Sequence, residues 1–191
     1  MCQDSLRSLT QPDDTYYGIC QTVAGDNSTE STPGIDVCQY TNTSIHYWPP
    51  SLAFDNNVST KYLNYGSGAQ SASTETQGTG TGFYVSPKNG SSVLKGIVFA
   101  TGDDQPNRDP IMCTVEGSNN ASSFLVYGSS WTLIYSGSTG IPASPAPERS
   151  QYMSPISINN MIPYTAYRVL ITQQSGSANG VQYSECHLLG Y

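Results

Sequence analysis

The chain has 191 residues, of which only 11% are charged, against about a quarter in ordinary soluble domains. Its formal net charge is −7, and its seven Lys and Arg are scattered. That excludes a nucleic-acid partner, which needs clustered cations, and attraction to anionic lipid. Neutral polar residues replace the missing charge (27 Ser, 18 Thr, 12 Asn) and, with 18 Gly and 12 Pro, exclude long surface helices. The 14 Tyr and a 37% hydrophobic share supply a core and exclude wholesale disorder.

Residues 1–45 read as an N-terminal arm that carries three of the five cysteines and has little apolar periodicity. The strand candidates in it are Tyr16 to Cys20 and Ile35 to Tyr40. The first twenty residues are polar and hold no signal-peptide pattern, so secretion implies a processed form. From residue 46 to 191 short β-type runs alternate with turn clusters, which predicts one all-β sandwich or barrel domain. The runs are Gly82 to Val85, Val93 to Ala100, Ile111 to Glu116, Trp131 to Tyr135, Met153 to Ile158, Tyr167 to Ile171 and Tyr183 to Leu189. Ile111, Cys113 and Val115 share one face of their run. Gly66 to Gly82 and the proline-rich Gly137 to Ser150 read as loops. No apolar run approaches the ~20 residues that span a bilayer.

Cys2, Cys20, Cys38, Cys113 and Cys186 form no CxxC pair, and only two His occur, so a zinc site is not expected. Their wide spacing makes all five disulfide candidates in an oxidising compartment, with one thiol left over to be buried or to bridge elsewhere. Five N-x-Ser/Thr sequons, at Asn27, Asn42, Asn57, Asn89 and Asn120, lie in turn-like sequence. Together these features point to a secreted or cell-surface glycoprotein.

In Ser51 to Tyr62, the oxygen-bearing side chains Asp55, Asn57 and Thr60 stand at i, i+2 and i+5. In a tight loop they can converge on a hard cation such as Ca²⁺. The same residue types are also common turn formers, so spacing alone leaves both readings open. The stretch Ala53-Phe54-Asp55 through Thr60-Lys61-Tyr62 resembles a segment of discoidin-like (F5/8 type C, galactose-binding-like) domains. Similar pieces follow in order at Gly80 to Phe83, Gly96 to Thr101, Arg108 to Pro110, Val115 to Asn119, Trp131 to Ile134, Ala166 to Val169 and Tyr183 to Gly190. The resemblance covers about residues 46–191. It implies a jelly-roll β-sandwich with its chain ends close together. It also implies a structural Ca²⁺ held by the side chains of Asp55, Asn57, Thr60 and Glu185 and the carbonyls of Leu52 and Ser184. Asn57 also heads a sequon, and a glycan there would crowd an ion held by its amide oxygen.

The resemblance further implies sugar binding by loops at one end of the sandwich, with His46, Tyr47, Trp48, Asp104 and Arg108 as candidates. Trp48, just before Pro49-Pro50, can instead pack the mouth of the sandwich, and Arg108-Asp109 reads as a structural ion pair. Arg168 has core-like neighbours on alternate faces and reads as snorkelling or paired. The chain is not expected to be an enzyme, because neither His46 nor His187 sits in a nucleophile motif and no phosphate-cradling loop leads into a helix. Two functions remain: a structural subunit of an extracellular filament, sheath or coat, or a lectin-like carbohydrate-binding or adhesion module. The first is put slightly ahead, because no sugar-clamping cluster stands out in the sequence whereas the arm and the sequons do. Its partners would be further copies or other extracellular glycoproteins, and those of the second a glycan.

Overall fold

The computed structural model describes residues 6–19, 22–28, 41–42, 46–66 and 78–191, with backbone alone at 41–42 and 46–47. Among them the strands run in chain order as β1 (Arg7–Ser8), β2 (Tyr16–Ile19), β3 (Thr41–Asn42), β4 (His46–Tyr47), β5 (Tyr62–Asn64), β6 (Gly82–Val85), β7 (Leu94–Ala100), β8 (Pro110–Ser118), β9 (Thr132–Ser138), β10 (Ile156–Ser157), β11 (Ala166–Gln174), β12 (Val181–Tyr183) and β13 (Glu185–Gly190). Helical structure among the described residues is limited to short 3-10 turns such as Pro50–Ala53 and Pro106–Arg108. The chain is an all-β jelly-roll sandwich. One sheet has the order β1-β13-β7-β10 and the other β2-β6-β11-β8-β9, with small ladders β12-β5 and β3-β4 beside them.

Side-chain alternation builds the core between the two sheets. In the four-stranded sheet, Cys186 faces Phe99 and Leu188 faces Ile97 in register, and all four are fully buried. In the five-stranded sheet, Val169 pairs with Val115 and Ile171 with Cys113, again inward. The aromatic rings add a continuous stack: Tyr16 lies on Phe54 at 3.7 Å, and both meet the edge of Phe83. Burying each such ring stabilises by roughly 1.5–3 kcal/mol.

The five-stranded sheet is buried on its second face as well. Ile19, Tyr84, Leu125, Trp131, Ala166 and Leu170 form a separate apolar cluster there. Arg168 and Glu116 are direct cross-strand partners on this face. Their ion pair is fully buried, with Arg168 Nε 2.6 Å from Glu116 Oε2. Arg168 is therefore paired, one of the two readings its neighbours allowed. Glu116 Oε1 also accepts the Gly25 N–H at 2.8 Å, and Arg168 Nη1 donates to the Asp26 carbonyl at 3.0 Å. The pair thus ties residues 25–26 to the sheet and leaves no buried charge unmatched.

Much of the described part of residues 1–45 belongs to the sandwich. β1 pairs with β13 through Arg7↔Gly190 and Ser8↔Leu189, which brings the two ends of the described chain together. β2 forms an edge of the other sheet against β6. Cys2, Cys20, Cys38 and the strand candidate at 35–40 lie outside the described residues.

Candidate functional site

Three loops meet at one end of the sandwich: residues 48–61 before β5, 101–109 between β7 and β8, and 175–180 between β11 and β12. They are laced together, since Ser175 N–H donates to the Asp109 carbonyl and Gly176 N–H to that of Asn107. Among the described residues, the non-glycine positions with positive φ are Asn56 (61°), Gln105 (44°) and Ser150 (55°). Asn56 and Gln105 lie in these loops, and Ser150 follows Arg149, which binds the second of them. Such backbone is costly and persists where surrounding contacts hold it.

The oxygen cluster anticipated from spacing forms at the root of this end. The Asn57 N–H lies 2.9 Å from Asp55 Oδ1 and 2.6 Å from Glu185 Oε1, so two carboxylates from distant parts of the chain converge on one amide. Thr60 Oγ1 lies 2.7 Å from Asp55 Oδ2 and 2.8 Å from the Asn57 carbonyl. Glu185 is fully buried, and its Oε2 has no hydrogen-bond partner of good geometry, although His187 Nε2 stands 2.9 Å away. Tyr152 stacks on His187, and its hydroxyl is 3.2 Å from the same nitrogen. Burial first, then the charges of Glu185 and Asp55, push the Tyr152 hydroxyl up to about 12.

Leu52 lies in the 3-10 turn that precedes this loop, and Ser184 stands immediately before Glu185. The Ser184 N–H and hydroxyl donate to the Ala100 and Thr101 carbonyls, which locks the start of β13 against the end of β7. Asn57 enters the cluster through its backbone. Its side-chain oxygen turns instead to the Ser59 N–H at 3.1 Å, and the residue is exposed.

Beside this cluster lies a polar rim. Lys61, almost wholly buried, places Nζ 2.6 Å from both Asp103 and Asp104. Those two carboxylates are half-exposed, at 53% and 51%. Gln182 Nε2 donates to Asp104 Oδ1 at 2.8 Å. Its oxygen takes the outermost reach of Arg108 Nη1, at 3.5 Å. Arg108 also donates through Nε and Nη2 to Asn179 Oδ1, at 3.2 and 2.9 Å. Behind the rim, the guanidinium of Arg108 lies over the Tyr65 ring and the amine of Lys61 over the Trp48 ring. Trp48 is half-buried against Leu63 and Tyr65. Burial would raise the Asp104 carboxyl, but hydrogen bonds from Lys61 and Gln182, with the charges of Lys61 and Arg108, hold it below the usual carboxylate value.

Of the sugar-facing candidates, Trp48, Asp104 and Arg108 come together here, while His46 and Tyr47 are described in backbone only, as β4. Arg108 makes no ion pair with its neighbour Asp109. Asp109 is clamped at 2.6 Å by both terminal nitrogens of Arg149, while Arg108, the last residue of the 3-10 turn, reaches across to Asn179 and Gln182. Lys61, Tyr65, Asn179 and Gln182 escaped the sequence reading. Lys61 stood inside the quoted motif, but nothing local marks Asn179 or Gln182, whose partners lie more than 70 residues away.

Cys113 and Cys186, among the disulfide candidates, are buried free thiols. Each takes an inward strand position in the core, and burial pushes the Cys113 thiol up to about 12. Of the sequon residues, Asn27, Asn57, Asn89 and Asn120 are exposed, and Asn42 is described in backbone only. No helix among the described residues is long and apolar enough to cross a membrane.

No protein-family model and no curated protein matches the sequence. Solved structures do match the fold. The family 32 CBM (carbohydrate-binding module) of Clostridium perfringens NanJ, in complex with galactose, aligns over 97% of this chain and 99% of its own, at TM-score 0.58 and 12% identity. Another C. perfringens module, CpGH89CBM32-5, in complex with GalNAc-β-1,3-galactose, aligns over 97% of this chain and 100% of its own, at TM-score 0.59 and 9% identity. The F-lectin (fucolectin) from striped bass (Morone saxatilis) serum aligns over 98% of this chain and 50% of its own, at TM-score 0.58 and 11% identity. At these identities the likeness is one of fold, and that fold is the discoidin-like, galactose-binding-like sandwich.

Proposed function

We propose that this chain binds carbohydrate at the loop end of its sandwich. The observation that carries the reading is the connected network Lys61–Asp104–Gln182–Arg108–Asn179, which lines a half-buried tryptophan at that end. Sugar hydroxyls need donors and acceptors held in fixed positions, and charged partners give the stronger hydrogen bonds. Asp103 and Asp104 offer half-exposed acceptors, Arg108 offers donors, and the Trp48 ring offers an apolar edge. Lys61 and Gln182 hold Asp104 in place, so little side-chain freedom is lost when a ligand arrives. Structures of similar fold were solved with galactose and GalNAc-β-1,3-galactose bound, which supports a glycan as the ligand class.

The same reading includes a structural Ca²⁺ at the oxygen cluster. The donor set fits a hard cation: two carboxylates converging on one amide, a threonine hydroxyl and adjacent backbone carbonyls. The buried Glu185 oxygen without a well-aligned donor also calls for positive charge. Asp55, Thr60 and Glu185 would hold the ion, with the carbonyls of Leu52 and Ser184 as further candidates. The ion would neutralise the paired carboxylates, while the protein itself fastens the loop before β5 to the start of β13. We place the chain outside the cell as a secreted or surface glycoprotein, on its sequons and low charge. The filament, sheath or coat reading ranked first on sequence grounds; the arm it leaned on is in part paired into both sheets, and the fold neighbours favour the glycan reading.

The chain has two tryptophans, Trp48 at the rim and Trp131 buried on the far face of the five-stranded sheet. Titrating galactose and N-acetylgalactosamine into the Trp131→Phe protein, followed by intrinsic fluorescence, therefore reports on Trp48. The expected result is a saturable change whose midpoint moves to roughly 10- to 100-fold higher sugar concentration in Arg108→Ala. A flat titration with both sugars and with a wider glycan panel would overturn the reading.

A further inference from the structure

The oxygen cluster and the sequon at Asn57 share a residue, and the structure shows how they divide it. The cluster uses the Asn57 backbone: the N–H reaches Asp55 and Glu185, and the carbonyl receives Thr60 Oγ1. The Asn57 side chain closes a separate small turn, with Oδ1 accepting the Ser59 N–H. Since Oδ1 and Nδ2 lie on opposite branches of the amide, this turn directs Nδ2 away from Ser59, on a residue exposed to solvent. Asn120, by contrast, uses its amide nitrogen to donate to the Ser130 carbonyl at 3.4 Å.

We infer that Asn57 is an N-glycan acceptor and that its glycan leaves the clasp between Asp55, Thr60 and Glu185 intact. The acceptor nitrogen is the atom the clasp does not use. One N–H remains on it after glycosylation, and neither Oδ1 nor any backbone group of the clasp changes its bonding. The conflict expected between an ion and a glycan at this position arises only if the amide oxygen faces the ion, and here it faces Ser59. The inference stands independently of the sugar-binding proposal.

The test uses the full chain, secreted from a eukaryotic host behind a cleavable signal peptide. Ser59→Ala serves as the comparison, because it destroys the sequon yet keeps Asn57 and the Ser59 backbone N–H that holds its side chain. Glycopeptide mass spectrometry should find a glycan on Asn57 in the parent chain and none in Ser59→Ala. The two proteins should melt at nearly the same temperature. An unmodified Asn57 in the parent chain, whatever the state of the other sequons, would overturn the inference. So would a glycosylated protein that melts more than about 4 °C below Ser59→Ala, the scale expected when a real contact is lost from a chain of this length.

Discussion

Glu185, the first residue of β13, accepts the backbone N–H of Asn57 at 2.6 Å, a contact between positions 128 residues apart in the chain. Asp55 accepts the same N–H, so two carboxylates sit together at the root of the loop end. Like charges that close repel unless a cation or a proton intervenes. Calcium is therefore expected to raise the melting temperature, and chelation to lower it. At a hundredfold excess over Kd, a native-state ligand adds about 2.7 kcal/mol. Asp55→Asn and Glu185→Gln should melt at temperatures insensitive to calcium. A parent protein with the same melting temperature in calcium and in chelator would contradict the assignment.

The buried pair Arg168–Glu116 makes a prediction of another kind. Removing one partner strands a charge inside the second apolar cluster, which typically costs about 3–5 kcal/mol. Arg168→Met alone should therefore destabilise strongly in urea, and Glu116→Gln similarly, with the added loss of the acceptor for Gly25. The double replacement should cost less than the two single costs combined, because it leaves no unmatched charge. Strict additivity in that double-mutant cycle would show that the two residues act separately.

Alkaline pH probes the core. Burial pushes the Cys113 thiol up to about 12 from 9.0, and the Tyr84 hydroxyl up to about 12 from 10.0, with a smaller push from Tyr17. Both groups are protonated in the native state. Their contribution is complete below the unfolded values of 9.0 and 10.0 and is lost as pH rises through the folded values. Stability should fall between about pH 9 and 12, and Tyr62 and Tyr183, wholly buried, should ionise only as the chain unfolds. Tyrosinate absorbance should show a cooperative step that coincides with loss of the β-sheet circular dichroism. Smooth ionisation of every tyrosine with the sheet signal intact would contradict this.

Strands that are apolar on at least one face were legible from the sequence. Gly82–Val85 was expected at its observed bounds, and β7 and β11 announce themselves through Ile97, Val98 and Phe99 and through Val169, Leu170 and Ile171. The shortest strands were not: β1 and β5 are two and three residues long and carry no periodicity to read. The run from Tyr183 to Leu189 divides at Ser184, where one strand leaves the β5 ladder and the next joins β7. Of Met153 to Ile158, only Ile156–Ser157 forms a strand.

The candidate site divides along the same line. The spacing of Asp55, Asn57 and Thr60 is local, and the resemblance supplied Glu185. The rim depends on contacts such as Lys61 with Asp104 and Arg108 with Asn179, which pair residues from different loops and leave no local signature. Which atom of Asn57 faces the cluster is also set by a turn whose details spacing alone does not specify.

The loop end carrying Trp48, Asp104, Arg108, Asn179 and Gln182 is the proposed glycan site. The most direct measurement is a glycan array probed with the monomeric chain alongside Arg108→Ala and Asn179→Ala, each first shown to melt like the parent. Saturable binding to a defined set of glycans is expected, weakened roughly 10- to 100-fold by either change, as for the loss of a hydrogen bond to a charged group. No binding to any glycan, or binding that both variants retain in full, would contradict the account.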